Sequence, residues 1–88
     1  MSEERKDWIH REVESLRTTR DELQVQVHLA SAEARDRWED LERSWNHLES
    51  QVKQISQAAS DAADGVEQAA SLLIDEIKAG YQHIRQVM

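Results

Sequence analysis

The side chains in this sequence best suited to metal or proton chemistry are four histidines, His10, His28, His47 and His83. A zinc centre needs three or four convergent ligands, and a helical di-metal centre needs Glu-x-x-His on facing helices. Here the histidines are separated by 18, 19 and 36 residues, and neither His-x-x-x-His nor Glu-x-x-His occurs. Along one helix, at about 1.5 Å per residue, they would lie tens of ångströms apart. They read as solvent-facing or seam-flanking side chains, with His83 nearest an apolar line. The carboxylates Asp36, Glu39, Asp40 and Glu42 cluster, but Arg35, Arg37 and Arg43 are interleaved with them. That is a solvated charged face; general acid–base work needs a concave, water-poor pocket. Asp61, Asp64 and Glu67 lack the alternating oxygen ligands of a calcium loop. The chain has no Cys, which removes disulfides, thiolate nucleophiles and zinc–thiolate sites. No Gly-rich phosphate loop is present. Trp38 and Trp45, seven residues apart, have the spacing of a base-stacking platform, but the arginines beside them are outnumbered by acids and they read as core knobs. The expectation is therefore no catalytic, cofactor-binding or metal site, and no enzyme.

What positions these residues is an apolar stripe. Trp38, Leu41, Trp45, Leu48, Val52 and Ile55 follow one another at steps of 3, 4, 3, 4 and 3, with polar residues nearly everywhere between them. This is the a/d seam of a coiled coil. Towards the N-terminus the seam continues as Ile9, Val13, Leu16, Arg20, Leu23, Val27, Ala30 and Ala34, while Trp8, Val25 and Leu29 widen it. Two consecutive steps of 4, from Ala30 through Ala34 to Trp38, form a stutter that straightens a supercoil locally. Towards the C-terminus it runs through Ala59, Ala62, Val66, Ala70, Leu73, Ile77, Tyr81 and Ile84, with a second stutter around Ile77. Asp7/Arg11, Glu33/Arg37, Glu39/Arg43 and Glu49/Lys53 are acid-to-base pairs four apart, each adding roughly 0.2–0.5 kcal/mol to a helix.

Composition agrees with long helices. Of 88 residues 33% are charged, Pro is absent and Gly occurs twice, the profile of a helical rod or coiled coil. The net charge is −7, and the acid excess is spread over the chain. No segment is basic, which argues against a phosphate-neutralising surface for nucleic acid and against an anionic membrane. The N-terminus lacks the apolar core of a secretory signal, and the longest apolar run, Ala69–Ile74, is far short of a membrane span. A cytoplasmic location is the expectation.

The strongest punctuation is Asp64-Gly65, since Gly costs about 1 kcal/mol in a helix relative to Ala. A second site, Ala30-Ser31-Ala32-Glu33-Ala34, lacks Gly, Pro and Asn. The pattern predicts one all-α domain over residues 1–88: a long helix over about 3–60, a turn at 60–65 and a returning helix over about 66–87. A three-helix bundle and a single rod of roughly 130 Å are the alternatives; the bundle is disfavoured because the middle segment carries only a narrow stripe. In the hairpin the returning helix leaves Ile9, Val13, Leu16, Leu23 and Val27 in water, roughly 1.5–3 kcal/mol of unrealised burial each. A second copy, as a homodimer, is the expected cover, with another helical protein as the other partner class.

From Ala34 to Trp45 the sequence resembles a group of small bacterial coiled-coil proteins of unknown function, in which an acidic Trp-Glu-x-Leu-type heptad segment precedes an Ala/Asp-rich stretch and a short amphipathic helix, here Leu73–Tyr81. The Trp-x-x-Leu spacing is also similar to one helix of a spectrin repeat. The resemblance implies helix association and no catalytic residues. The expected function is a non-enzymatic interaction or assembly protein working through helix–helix contacts. The alternative is a lipid- or polymer-surface binder acting through residues 66–88.

Overall fold

The computed structural model describes residues 3–57 and 60–87, with side chains described for residues 4–57 and 65–87. The chain forms three helices, α1 (Glu3–Val27), α2 (Ala32–Gln57) and α3 (Ser60–Val87), and no strand among the described residues. At about 1.5 Å per residue the 28-residue α3 accounts for the 44 Å long dimension, against 18 and 16 Å across. The contacts fix the directions. Arg5, Glu12 and Glu22 of α1 meet Glu67, Lys78 and Arg85 of α3 in ascending order, so these helices are parallel. Arg17 and Arg20 meet Glu49 and Glu42 in descending order, so α2 is antiparallel to α1.

The expected long helix over 3–60 is thus replaced by two helices with a turn at residues 28–31. The reason lies in Ser31. Leu29 and Ala30 N–H groups close α1 with tight bonds to the carbonyls of Gln26 and Val27, at 3.1 and 3.0 Å. Ser31 then caps α2: its Oγ accepts from the Ala34 amide at 3.2 Å and its carbonyl from Arg35 at 3.1 Å. Glu33 sits in the first turn, where a carboxylate favours the helix dipole. No described residue has positive φ, so the reversal needs no glycine. The turn expected at 60–65 is corrected as well: Gly65 lies inside α3, and the α2–α3 connection at residues 58–59 lies outside the described residues.

The narrow stripe of α2 suffices because it faces mainly α3, its closest neighbour, and because Trp38 and Trp45 broaden it. The core comprises Ile9, Val13, Leu16, Leu23 and Val27 of α1, Ala34, Trp38, Leu41, Trp45, Leu48 and Ile55 of α2, and Ala70, Ile74, Ile77, Tyr81 and Ile84 of α3. The five α1 residues for which the sequence seemed to demand a second chain are covered within their own chain. The seam of α3 is also shifted. Glu67, Ala70, Ile74, Ile77, Tyr81 and Ile84 are buried at unbroken steps of 3 and 4, while Val66 and Leu73 are half-buried. The second stutter disappears once a glutamate is admitted to the seam. No helix among the described residues is long and apolar enough to cross a membrane.

The two glycines differ in kind. A Cβ on Gly65 would meet nothing within 4 Å. A Cβ on Gly80 would lie 2.4–3.2 Å from Cδ2, Cδ1 and Cγ of Leu41, so this position near the end of α3 sets how closely α2 approaches. Gly65→Ala is expected to stabilise the protein by about 0.5–1 kcal/mol through helix propensity. Gly80→Ala should show none of that gain and a net loss of about 1 kcal/mol, from displacing Leu41. Urea melts of the two variants beside the parent check the contrast; equal gains from both would contradict this account of Gly80.

Candidate functional site

Most of the predicted seam residues line the intramolecular core. Of the others, Arg20, Ala30, Val52, Val66 and Leu73 are half-buried, and Ala59 and the side chain of Ala62 lie outside the described residues. At the middle of the bundle the apolar layers are interrupted by a polar one. Arg20 occupies a seam slot of α1 and donates through Nε and Nη2 to the two carboxylate oxygens of Glu42, at 2.7 Å each. Its guanidinium lies over the Trp45 ring, 5.6 Å from the centroid, and Arg17 lies over the same ring at 5.8 Å. The bond to Glu42 raises the Arg20 pKa above its already high ordinary value. On α3, Tyr81 stacks on Trp38 with centroids 5.8 Å apart. The Tyr81 ring is 2% exposed, and its hydroxyl has no hydrogen-bond partner among the described residues. Burial, and secondarily the Glu42 carboxylate, pushes the phenol well above its ordinary range.

A concavity lies between α1 and α2, the two helices in least contact. It is an open groove of about 390 Å³ floored by Val13 and Val52, with Arg17, Asn46, Glu49, Ser50 and Lys53 around it. Its volume is at the small end for a ligand pocket, roughly 300–1,000 Å³. Val52 belongs to the same heptad line as Leu48 and Ile55, which are buried, yet its own chain only half covers it. Arg17 reaches Glu49 at 3.6 Å, whereas Lys53 makes no ion pair among the described residues. The expected Glu49/Lys53 pair is therefore replaced by a contact across the groove, and Lys53 stands on the rim with no ion-pair partner among the described residues. Two smaller depressions follow the other interfaces. One of about 200 Å³ lies between α1 and α3 beside Tyr81, and one of about 130 Å³ lies between α2 and α3 beside Gly80.

The remaining candidates are dispersed. All four histidines are exposed, His83 included. No group of three or more potential metal ligands converges among the described residues. Asp36, Glu39 and Asp40 are exposed, with Asp40 paired to Arg43, and Glu42 is taken up by Arg20. Asp61 and Asp64 have side chains outside the described residues. The apolar set on which lipid binding by residues 66–88 would depend is largely internal. Ile74, Ile77, Tyr81 and Ile84 are buried and Leu73 is half-buried, Leu72 is 70% exposed, and Met88 lies outside the described residues. Among the described residues the other large exposed apolar side chains are Val25 and Leu29, at 71% and 91%. Of the groove, the sequence signalled Val13 and Val52 as seam residues. Asn46, Ser50 and Lys53 carried no signal, because the groove is made by helix spacing and not by a motif. Comparison with protein-family models, with curated proteins and with solved structures gives no match.

Tyr81 provides a test of the polar layer. A phenol whose pKa is raised by folding contributes stability that is complete below its unfolded value of about 10 and is lost as pH rises above it, by about 1.4 kcal/mol per pH unit. Tyr81→Phe should remove that alkaline loss. At pH 7 it should be neutral or stabilising by about 1 kcal/mol, since the deleted hydroxyl is buried and unpartnered. Denaturant melts at pH 7 and pH 11 measure both effects; a destabilised Phe variant at pH 7 would show that the hydroxyl has a partner in solution.

Proposed function

We propose that this protein is a non-enzymatic helical interaction module whose working surface is the α1–α2 groove, and that the groove receives one face of an amphipathic helix. The observation that carries this reading is Val52, a heptad residue half-covered by its own chain and placed beside Val13 on the floor of an open cleft. A heptad line that continues onto a groove presents the kind of surface to which an added helix packs, by ridges entering the space between two existing helices. The chemistry of the rim specifies the guest. Lys53 favours a carboxylate beside the apolar contact, Arg17 being held by Glu14 and Glu49, and Asn46 and Ser50 supply neutral hydrogen-bonding groups. The groove is short and open, which suits a few inserted side chains better than an enclosed small molecule.

The test uses a synthetic amphipathic helix with leucines on one face and glutamates flanking them, titrated into isotopically labelled protein. Amide shifts should concentrate at Val13, Arg17, Asn46, Val52 and Lys53. Lys53→Glu, at an exposed position that leaves the fold intact, should weaken binding by about tenfold, the equivalent of ~1.4 kcal/mol. Shifts spread evenly over the three helices, or unchanged affinity in the Lys53 variant, would sink the reading.

A further inference from the structure

Resting on the groove as a helix-docking site, we infer that its occupant is the outer face of α3 of a second copy, and that copies therefore add head to tail. The evidence is complementarity within one molecule. Leu72 is 70% exposed at mid-helix. With 3.6 residues per turn it lies on the side of α3 opposite the line of Glu67, Ala70, Ile74, Ile77, Tyr81 and Ile84. Asp75 and Glu76, one turn further along, are exposed on the same outer side, and the small Ala79 follows them. The outer face of α3 thus reads apolar, then doubly acidic, then small. The groove reads apolar at Val13 and Val52 and cationic at Lys53, since Arg17 on the same rim is already paired to Glu14 and Glu49. Leu72 entering the cleft presents Asp75 and Glu76, one turn further along the same helix, to Lys53. The exposed pair Val25 and Leu29 fits less well, because Leu29 stands in the α1–α2 turn and offers no straight helix to lie along a groove.

Geometry decides the kind of assembly. A groove lined only by α1 and α2 opens on the side away from α3, while Leu72 points away from both α1 and α2. The two complementary surfaces lie on opposite sides of a bundle 16–18 Å thick. A closed two-fold dimer presents the same patch from both copies; here donor and acceptor differ. Each pairing leaves a free groove at one end and a free Leu72 face at the other, so addition continues.

Two blocked variants test this: Leu72→Glu, which spoils the inserted face at an exposed site, and Val52→Glu, which spoils the groove. Lys53→Glu serves as a second groove variant at an exposed site, and circular dichroism confirms helicity in all three. By sedimentation and light scattering the parent mass should rise with concentration past that of a dimer. Each variant alone should stay monomeric, and an equimolar mixture of a face-blocked and a groove-blocked chain should stop at the dimer. A parent mass that stops at two copies, blocked variants that still assemble, or a monomer at every concentration would overturn the inference. If the parent is monomeric while the Leu/Glu helix still binds at Val13 and Val52, the docking reading stands and only the identity of the occupant fails.

Discussion

Everything in this bundle follows from α3 serving as the common wall for both other helices. Helices α1 and α2 each carry a stripe only two heptad positions wide, too narrow to cover two neighbours fully. Each directs that stripe at α3, whose own apolar set is the richest in the chain. The result buries most of the large apolar residues without a second molecule. It also leaves α1 and α2 spaced apart, joined by the half-buried Arg20–Glu42 pair and the Arg17–Glu49 contact more than by interdigitated side chains. The groove is the residue of that arrangement: two helices brought side by side by a third, with no side chains large enough at Val13 and Val52 to close the gap.

The polar groups in the seams act on register more than on stability. Arg20 stands where an apolar residue would otherwise sit, and its bidentate bond to Glu42 is made at one vertical alignment of α1 on α2. Sliding either helix by one turn would break this pair and the Arg17–Glu49 contact together. Replacing a half-buried ion pair by apolar residues is often neutral for stability, and the best-attested use of such a group is to select one alignment among several. A bundle built from near-repeating heptads needs such a device, since Leu, Ile and Val at every layer fit several registers about equally. On α3, Glu67 occupies a seam position at 2% exposure with Arg5 of α1 at 3.9 Å, and its Oε1 has no hydrogen-bond partner among the described residues.

This also explains which parts were legible in the sequence. The a/d line of α2 from Trp38 to Ile55 and that of α1 from Ile9 to Val27 can be read directly, because the residues that pack are also the most apolar ones. The turn at 28–31 is obscured because the heptad phase runs through it and no Gly, Pro or Asn marks it; its physical signal is a single serine hydroxyl at the right distance from an amide. Conversely, Gly65 looks like punctuation and is an ordinary helical position, since the cost of one glycine is small beside the packing of α3. The seam of α3 is misread by one residue at Val66 and Leu73 because a charged Glu67 looks out of place in a core. Gly80 lies too near the chain end to attract notice, and its importance appears only when Leu41 is found against it.

Covering the core within one chain changes what an apolar residue on this protein means. If the stripes had needed a second molecule, association would have been a condition of folding, and its surface would have been the whole length of α1. Here folding uses the stripes, and association, where it occurs, uses what the stripes leave over: half of Val52, most of Leu72, and the charges beside them. Such a contact buries far less area than a shared core and is correspondingly weak per event. The net charge of −7 opposes it at long range, a repulsion that falls off beyond about 8–10 Å at physiological salt, while adjacent groups such as Lys53 and an incoming carboxylate still attract. In the proposed head-to-tail assembly the contact is weak and salt-dependent. Two unlike faces on opposite sides of the bundle give it a direction.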